Sequence, residues 1–329
     1  MPPTIRWMPV IGQFEFKEKD NRVVFKGGSS PNVSEPDKPP VAFAGIALTD
    51  QVMVNGSLEA TVSFDGEITG ASVCEIVFGH DSRTRGQVTA GLGGSGAMYS
   101  VRQWVTNASL GSSGALPPRG TWKDLRLDGD RGNLRSKTPY QLVVRVDGSN
   151  IRLDVNGVRV IETTLPEAIS EPRQVGVFCL GHTDVTISRF AAAVEQPRVF
   201  IVTQFSSPYN EVYSHVIKAV CQELKLTALR ADELYGPEII IKDVVDNITK
   251  SQIVIADISP TNPNVYFEVG YALALGKPIV LLAQRRSADS PLPFDVSAFR
   301  VLFYDDTIGG KPKLEEGLRN HLREILGRA

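Results

Sequence analysis

The stretch Ile253-Val254-Ile255-Ala256-Asp257-Ile258-Ser259-Pro260-Thr261-Asn262-Pro263-Asn264-Val265-Tyr266-Phe267-Glu268-Val269-Gly270-Tyr271-Ala272 decides the fold of the C-terminal part of the chain. Its first four residues are apolar and mostly β-branched, as in a strand buried on both faces, and Asp257 ends the run. A polar, Pro-broken loop follows. From Val265 the apolar residues Val265, Val269, Ala272, Leu273 and Leu275 take helical spacing. Gly276-Lys277-Pro278 then stops the helix before a second buried strand, Ile279-Val280-Leu281-Leu282. The carboxyl end of a buried parallel strand opens onto the crevice where an α/β sheet holds its ligand. Glu268 is expected there, in the first turn of the helix.

Reading outward, Val199-Phe200-Ile201-Val202 is a strand, and Glu211 to Leu224 a helix whose apolar stripe includes His215, which reads as a core histidine. Leu226 to Leu229 is a second strand, Gly236 to Lys250 a second helix, Phe299 to Tyr304 a last strand, and Lys313 to Leu326 a closing helix. Five strands alternating with helices predict a doubly wound, flavodoxin-like domain with a five-stranded parallel sheet over residues 196–329. No Gly-rich phosphate fingerprint follows the first strand, which disfavours a dinucleotide-binding Rossmann reading.

The residues Asp257, Phe267, Glu268, Gly270 and Tyr271 carry a resemblance. Over Arg198 to Leu326 the chain resembles the nucleoside 2-deoxyribosyltransferase-like family, and more loosely the TIR domains that share its architecture. The resemblance implies that Glu268 is catalytic and works at C1′ of a ribosyl or deoxyribosyl group. It also implies a second acid near Asp243 or Asp246, for which a solvated helix face is the competing reading. Where those transferases carry an acid six residues before the catalytic Glu, this chain has Asn262, and an amide cannot shuttle a proton. The first strand carries no Tyr that matches that pattern, and Tyr209 and Tyr213 approach only from the segment that follows it.

The substrate-binding residues expected around the crevice are Gln204 and Phe205 after the first strand, with Thr203 beside them, and Arg230 and Asp232 after the second, with Glu233. Asp257, Asn262, Asn264, Tyr266 and Tyr271 follow around the third. Gln284, Arg285 and the loop Pro293-Phe294-Asp295 face the same side. Glu268 either serves chemistry or only meets the helix dipole. Asp257 either binds a ribose hydroxyl or makes an Asx-type turn. Arg230 either meets a phosphate or forms a salt bridge, and Gly270 either permits close approach or packs on the sheet.

From Trp7 to Ala193 the sequence is written in short alternating or β-branched runs: Val23–Phe25, Leu58–Phe64, Cys74–Phe78, Tyr140–Val146, Ile151–Val155 and Val158–Glu162. Asp147-Gly148 and Asn156-Gly157 are tight-turn pairs, so Tyr140 to Thr163 reads as a three-stranded meander. An antiparallel β-sandwich over residues 1–195 is the expectation. Gly176–Gly181 followed by Val185–Phe190 resembles the closing strands of concanavalin-A-like jelly rolls, including laminin-G-like domains. Gly27 to Pro40 and Gly93 to Lys137 read as long irregular segments. Trp104 and Trp122, in the second, either stack on sugar or pack beneath the loops.

At 329 residues with 42% hydrophobic and 22% charged content, the chain is of ordinary globular composition and long enough for two domains. A net charge of −2 gives no chain-wide attraction to nucleic acid or anionic membranes. Cys74, Cys179 and Cys221 are scattered in apolar runs, which favours buried thiols over a disulfide framework or a zinc site. No apolar leader and no membrane span is read, and the expected location is the cytoplasm. No metal and no cofactor is expected.

The resemblance over Arg198 to Leu326 implies an N-glycosidase acting on a nucleotide or nucleoside, with NAD+ as the favoured substrate. The TIR likeness implies NAD+ hydrolysis and, with it, a bacterial defence role. The sandwich is expected to sense a glycan or protein, or to assemble the chain into a homo-oligomer. The alternatives are a nucleotide-sensing module without chemistry, a nucleoside 2-deoxyribosyltransferase, and a carbohydrate-active enzyme centred on the sandwich, which would need two converging carboxylates.

Overall fold

The computed structural model describes residues 5–32, 37, 39–106, 120–233, 241–285 and 300–327. The chain forms two compact units, one from residues 1–146, 151–164 and 173–195, the other from 147–150, 165–172 and 196–329.

The first unit is a sandwich of two antiparallel sheets. One sheet runs β1 (Trp7–Ile11), β5 (Val41–Met53), β14 (Arg173–Gly181), β7 (Val73–His80), β8 (Gln87–Leu92), β9 (Ala97–Thr106) and β10 (Gly120–Asp130), with β4 (Ser29–Ser30) beside β5. The other runs β13 (Val158–Thr164), β12 (Asn150–Val155), β11 (Tyr140–Asp147), β6 (Asn55–Phe64), β15 (Val185–Glu195), β3 (Arg22–Phe25) and β2 (Phe14–Lys17). The predicted meander is β11, β12 and β13. Asn156 and Gly157 both take positive φ, 50° and 78°, at its second turn, as a primed hairpin turn requires.

Alternation builds the core. Leu58, Ala60, Val62 and Phe64 of β6 are buried, as are Cys74, Ile76 and Phe78 of β7. All three cysteines are buried and none is in a disulfide. Glu75 points to the opposite face of β7. It is fully buried and accepts Nε and Nη2 of Arg102 at 2.8 and 2.7 Å, the Ser100 hydroxyl at 2.5 Å and the Thr89 hydroxyl at 2.8 Å. The Arg102 guanidinium lies 4.1 Å from the Trp122 ring centroid, and Trp122 meets Trp104 edge-on at 5.3 Å. Both Trp rings are therefore packed side chains of the sheet. The segment from Gly93 to Lys137, expected to be irregular, holds the paired strands β9 and β10, with Trp104 opposite Trp122.

The second unit has five parallel strands in the order β17 (Thr227–Arg230), β16 (Arg198–Val202), β18 (Ile253–Asp257), β19 (Ile279–Gln284) and β20 (Val301–Tyr304). Strand order thus reverses between the first strand of this unit and its third. Every residue of β18 is buried. Ile253 and Ile255 join a core with α1 (Tyr209–Val212), α2 (Lys218–Glu223) and α5 (Gly310–Ile325), whereas Val254 and Ala256 join one with α3 (Ile241–Lys250) and α4 (Pro263–Ala274). Helices on both faces explain the continuous apolar run. Each such fully buried Val or Ile contributes about 1.5–3 kcal/mol.

Two local features differ from expectation. A π-helical turn, Tyr213–Ile217, links α1 to α2. Its wider turn rotates the buried stripe onto Tyr213, Val216, Ile217, Val220 and Cys221 and leaves His215 exposed. In addition, α4 begins at Pro263, earlier than Val265, with Asn262 as its N-cap. No helix among the described residues is long and apolar enough to cross a membrane.

Candidate active site

At the carboxyl ends of β16, β17 and β18 lies a cavity of about 430 Å³, within the range of small-molecule sites. This is the switch point of strand order, where open α/β sheets bind ligands. Thr203, Gln204 and Phe205 line it from the end of β16, and Ala231 from the end of β17. Ile241 and Val244 of α3 close one side. Asn262, Asn264, Val265, Phe267 and Glu268 form the side made by α4.

The geometry of α4 follows from its first residues. The Asn262 side chain accepts from the Asn264 N–H at 3.0 Å, and Pro263 occupies the first helical position, where its missing N–H costs nothing. Glu268 consequently stands in the second turn. The free N–H groups of the helix start lie a turn away, and the macrodipole fades within the first turn. Among the described residues none donates a hydrogen bond to the Glu268 carboxylate or pairs with it. Burial pushes its carboxyl up to about 7. The expected first-turn placement and dipole-held anion are thus replaced by a desolvated carboxyl poised near neutrality.

The structure brings together Gln204, Phe205, Asn262, Asn264 and Glu268, and adds Phe267, which is 51% exposed. The Thr203 hydroxyl, buried in the wall, has no hydrogen-bond partner among the described residues.

Other expected site residues do not line the cavity and are engaged by neighbouring side chains or by packing. Arg230 does not stand free for a phosphate. Its Nε and Nη2 donate to the Asp232 carboxylate at 2.7 and 2.5 Å, and Nη1 donates to Asn210 Oδ1 at 2.9 Å, which occupies both Arg230 and Asp232. Asp257 is buried and accepts the Ser259 N–H at 3.0 Å and the Tyr304 hydroxyl at 2.6 Å, the Asx-type turn holding the loop. Tyr266 and Tyr271 are part of the packing of α4 against the sheet.

The remaining positions have equally definite surroundings. Tyr209 and Tyr213 are buried, and Tyr213 donates to Glu233 at 2.7 Å. Asp246 pairs with Lys250 on the outer side of α3, and Arg285 with Asp305. Gly270 is exposed, and a Cβ there would meet nothing within 4 Å. Pro293, Phe294 and Asp295 lie outside the described residues.

No protein-family profile matches the chain, and no curated protein matches it. Solved structures do. A carbohydrate binding module, CBM66, from Bacillus subtilis is 9% identical, over 56% of this chain and 92% of its own, with a TM-score of 0.41. The Bacillus licheniformis beta-glucanase is 11% identical, over 60% of this chain and 94% of its own, with a TM-score of 0.37. A CMP N-glycosidase from Clostridium botulinum, BcmB, is 18% identical, over 37% of this chain and 98% of its own, with a TM-score of 0.28. The first two likenesses concern the N-terminal sandwich and the third the α/β unit. None of them carries a substrate over to this chain.

Proposed function

We propose that the α/β unit is a nucleotide N-glycosidase that cleaves through Glu268, with NAD+ as its substrate. The observation that carries this reading is the Glu268 carboxyl, desolvated in a cavity at the switch point and poised near pH 7. Such a group is unstable as an isolated anion. It gains most when positive charge develops beside it, as happens at C1′ when an N-glycosidic bond breaks. Glu268 in its ionised form attacks C1′, and the electrons of the C1′–N bond pass to the departing base. Water then attacks C1′, breaks the glycosyl ester and releases the ribosyl product, with its proton passing to solvent.

Asn262 bears on the choice of substrate. Most bases need a proton to leave, and an amide supplies none. Nicotinamide bound through its cationic ring nitrogen needs no proton, because bond cleavage itself neutralises the ring. The apolar wall of Phe205, Phe267, Ile241 and Val244 suits a planar base.

In this reading the sandwich is the recognition or assembly module. A hydrolase of NAD+ has to be restrained until it is needed, which suits an effector in defence. Glu75, the buried acid of the first sheet, is saturated by Arg102, Ser100 and Thr89, so it serves structure.

Calorimetry and turnover measured on the same two proteins test the proposal. Glu268→Gln keeps NAD+ affinity within a few-fold and loses turnover by more than about a thousandfold. Equal and measurable turnover by both proteins would sink it.

A further inference from the structure

We propose that Arg230 is a positioning residue that fixes Phe205 as a stacking wall for the base of the bound substrate. The inference deepens the N-glycosidase reading and rests on it for the identity of the ligand. Phe205 lines the cavity and is 47% exposed. Behind it stands Arg230, 7% exposed, with its guanidinium carbon 5.2 Å from the Phe205 ring centroid and 4.3 Å from that of Tyr213.

The guanidinium cannot swing. Asp232 takes two of its N–H groups and Asn210 a third, and these in-plane hydrogen bonds set the plane of the group and leave its faces to the rings. Tyr213 is held in turn, since its hydroxyl donates to Glu233, which Lys218 pairs at 2.5 Å. The chain of contacts Lys218, Glu233, Tyr213, Arg230 therefore ends on a ring at the cavity. Lysine at position 230 would keep the charge and lose both the bidentate pair and the flat face. The work of Arg230 is to hold Phe205 in one orientation before a base arrives, so that stacking carries no further ordering cost.

Two measurements test this, one of which needs no ligand. In protein labelled with 4-fluorophenylalanine, the Phe205 resonance is assigned by its loss in Phe205→Leu. In Arg230→Lys it should shift or broaden while the melting curve stays cooperative. An unchanged Phe205 resonance in that variant overturns the positioning role, whatever the substrate is. In the second measurement, Phe205→Leu and Arg230→Lys each raise the KM for NAD+ about tenfold with kcat changed far less, and the double variant is no worse than Phe205→Leu alone. Additive effects in the double variant would show that Arg230 acts by another route. Failure of the N-glycosidase reading looks different, because wild type itself would then release no base from NAD+.

Discussion

Asn262 and Glu268 share one helix and one cavity: Asn262 caps α4 through the Asn264 N–H, Glu268 stands in the second turn, and both line the same space. The acid has been set beyond the reach of the helix start, and the residue at the mouth of the helix is an amide. One titrating group with a neutral neighbour is suited to departing bases that need no proton.

The pH dependence follows from this pairing. With the Glu268 carboxyl at about 7 and the anion as the working form, kcat/KM for NAD+ rises with pH and levels above about 7. Below that point it falls about tenfold per unit. A stopped assay across pH 5–9 checks this. A rate that falls as pH rises through 7 would mean that the protonated form does the work.

Stability carries the opposite signature. The folded carboxyl titrates at about 7 against an ordinary 4.5, so folding takes up a proton between these values, and stability falls as pH rises from about 4.5 to about 7. Glu268→Gln removes that loss. The variant should be more stable than wild type by roughly 1–3 kcal/mol at pH 8 and by little at pH 4.5. Denaturant unfolding at the two pH values measures the difference, and a pH-independent gap would contradict the shift.

Asn262→Asp tests the leaving-group account. Aspartate caps a helix as well as asparagine does, so the fold should persist with a melting temperature within a few degrees. An ionisable acid in the cavity wall should add base release from nucleosides whose base needs a proton, seen by chromatography as a new activity. Loss of NAD+ cleavage without that gain would count against the role assigned to position 262.

In the sandwich, Arg102→Met should cost about 3–5 kcal/mol, because it leaves the buried Glu75 carboxylate with hydroxyl partners only. Thermal or denaturant unfolding of the full chain reads this on the transition of the first unit. A cost under about 1 kcal/mol would mean that the Ser100 and Thr89 hydroxyls suffice to hold Glu75.

The central strands of the α/β unit were legible because they are covered on both faces: Ile253-Val254-Ile255-Ala256 is apolar throughout, mostly β-branched, and too short for a helix. The strands β5, β9 and β10 were harder. Along β10 every side chain is half-buried or exposed, so Gly120 to Asp130 shows no strong apolar alternation. His215 was misplaced because a single π-turn shifts the helical stripe, and no residue type announces such a turn. The start of α4 did carry its signal, an Asn N-cap followed by Pro, which places the helix start at Pro263 and Glu268 in the second turn. Arg230 and Asp232 were rightly placed at a strand end, but spacing alone does not reveal that two residues so close pair with each other.

The most direct test of the central claim is chromatography of NAD+, NADP+ and a panel of ribo- and deoxyribonucleosides incubated with concentrated wild type and with Glu268→Gln. If Glu268 cleaves the N-glycosidic bond as proposed, wild type releases nicotinamide from NAD+ and the variant releases none. Nucleotide binding by both proteins with no base released by either would contradict it, and would make the α/β unit a sensor.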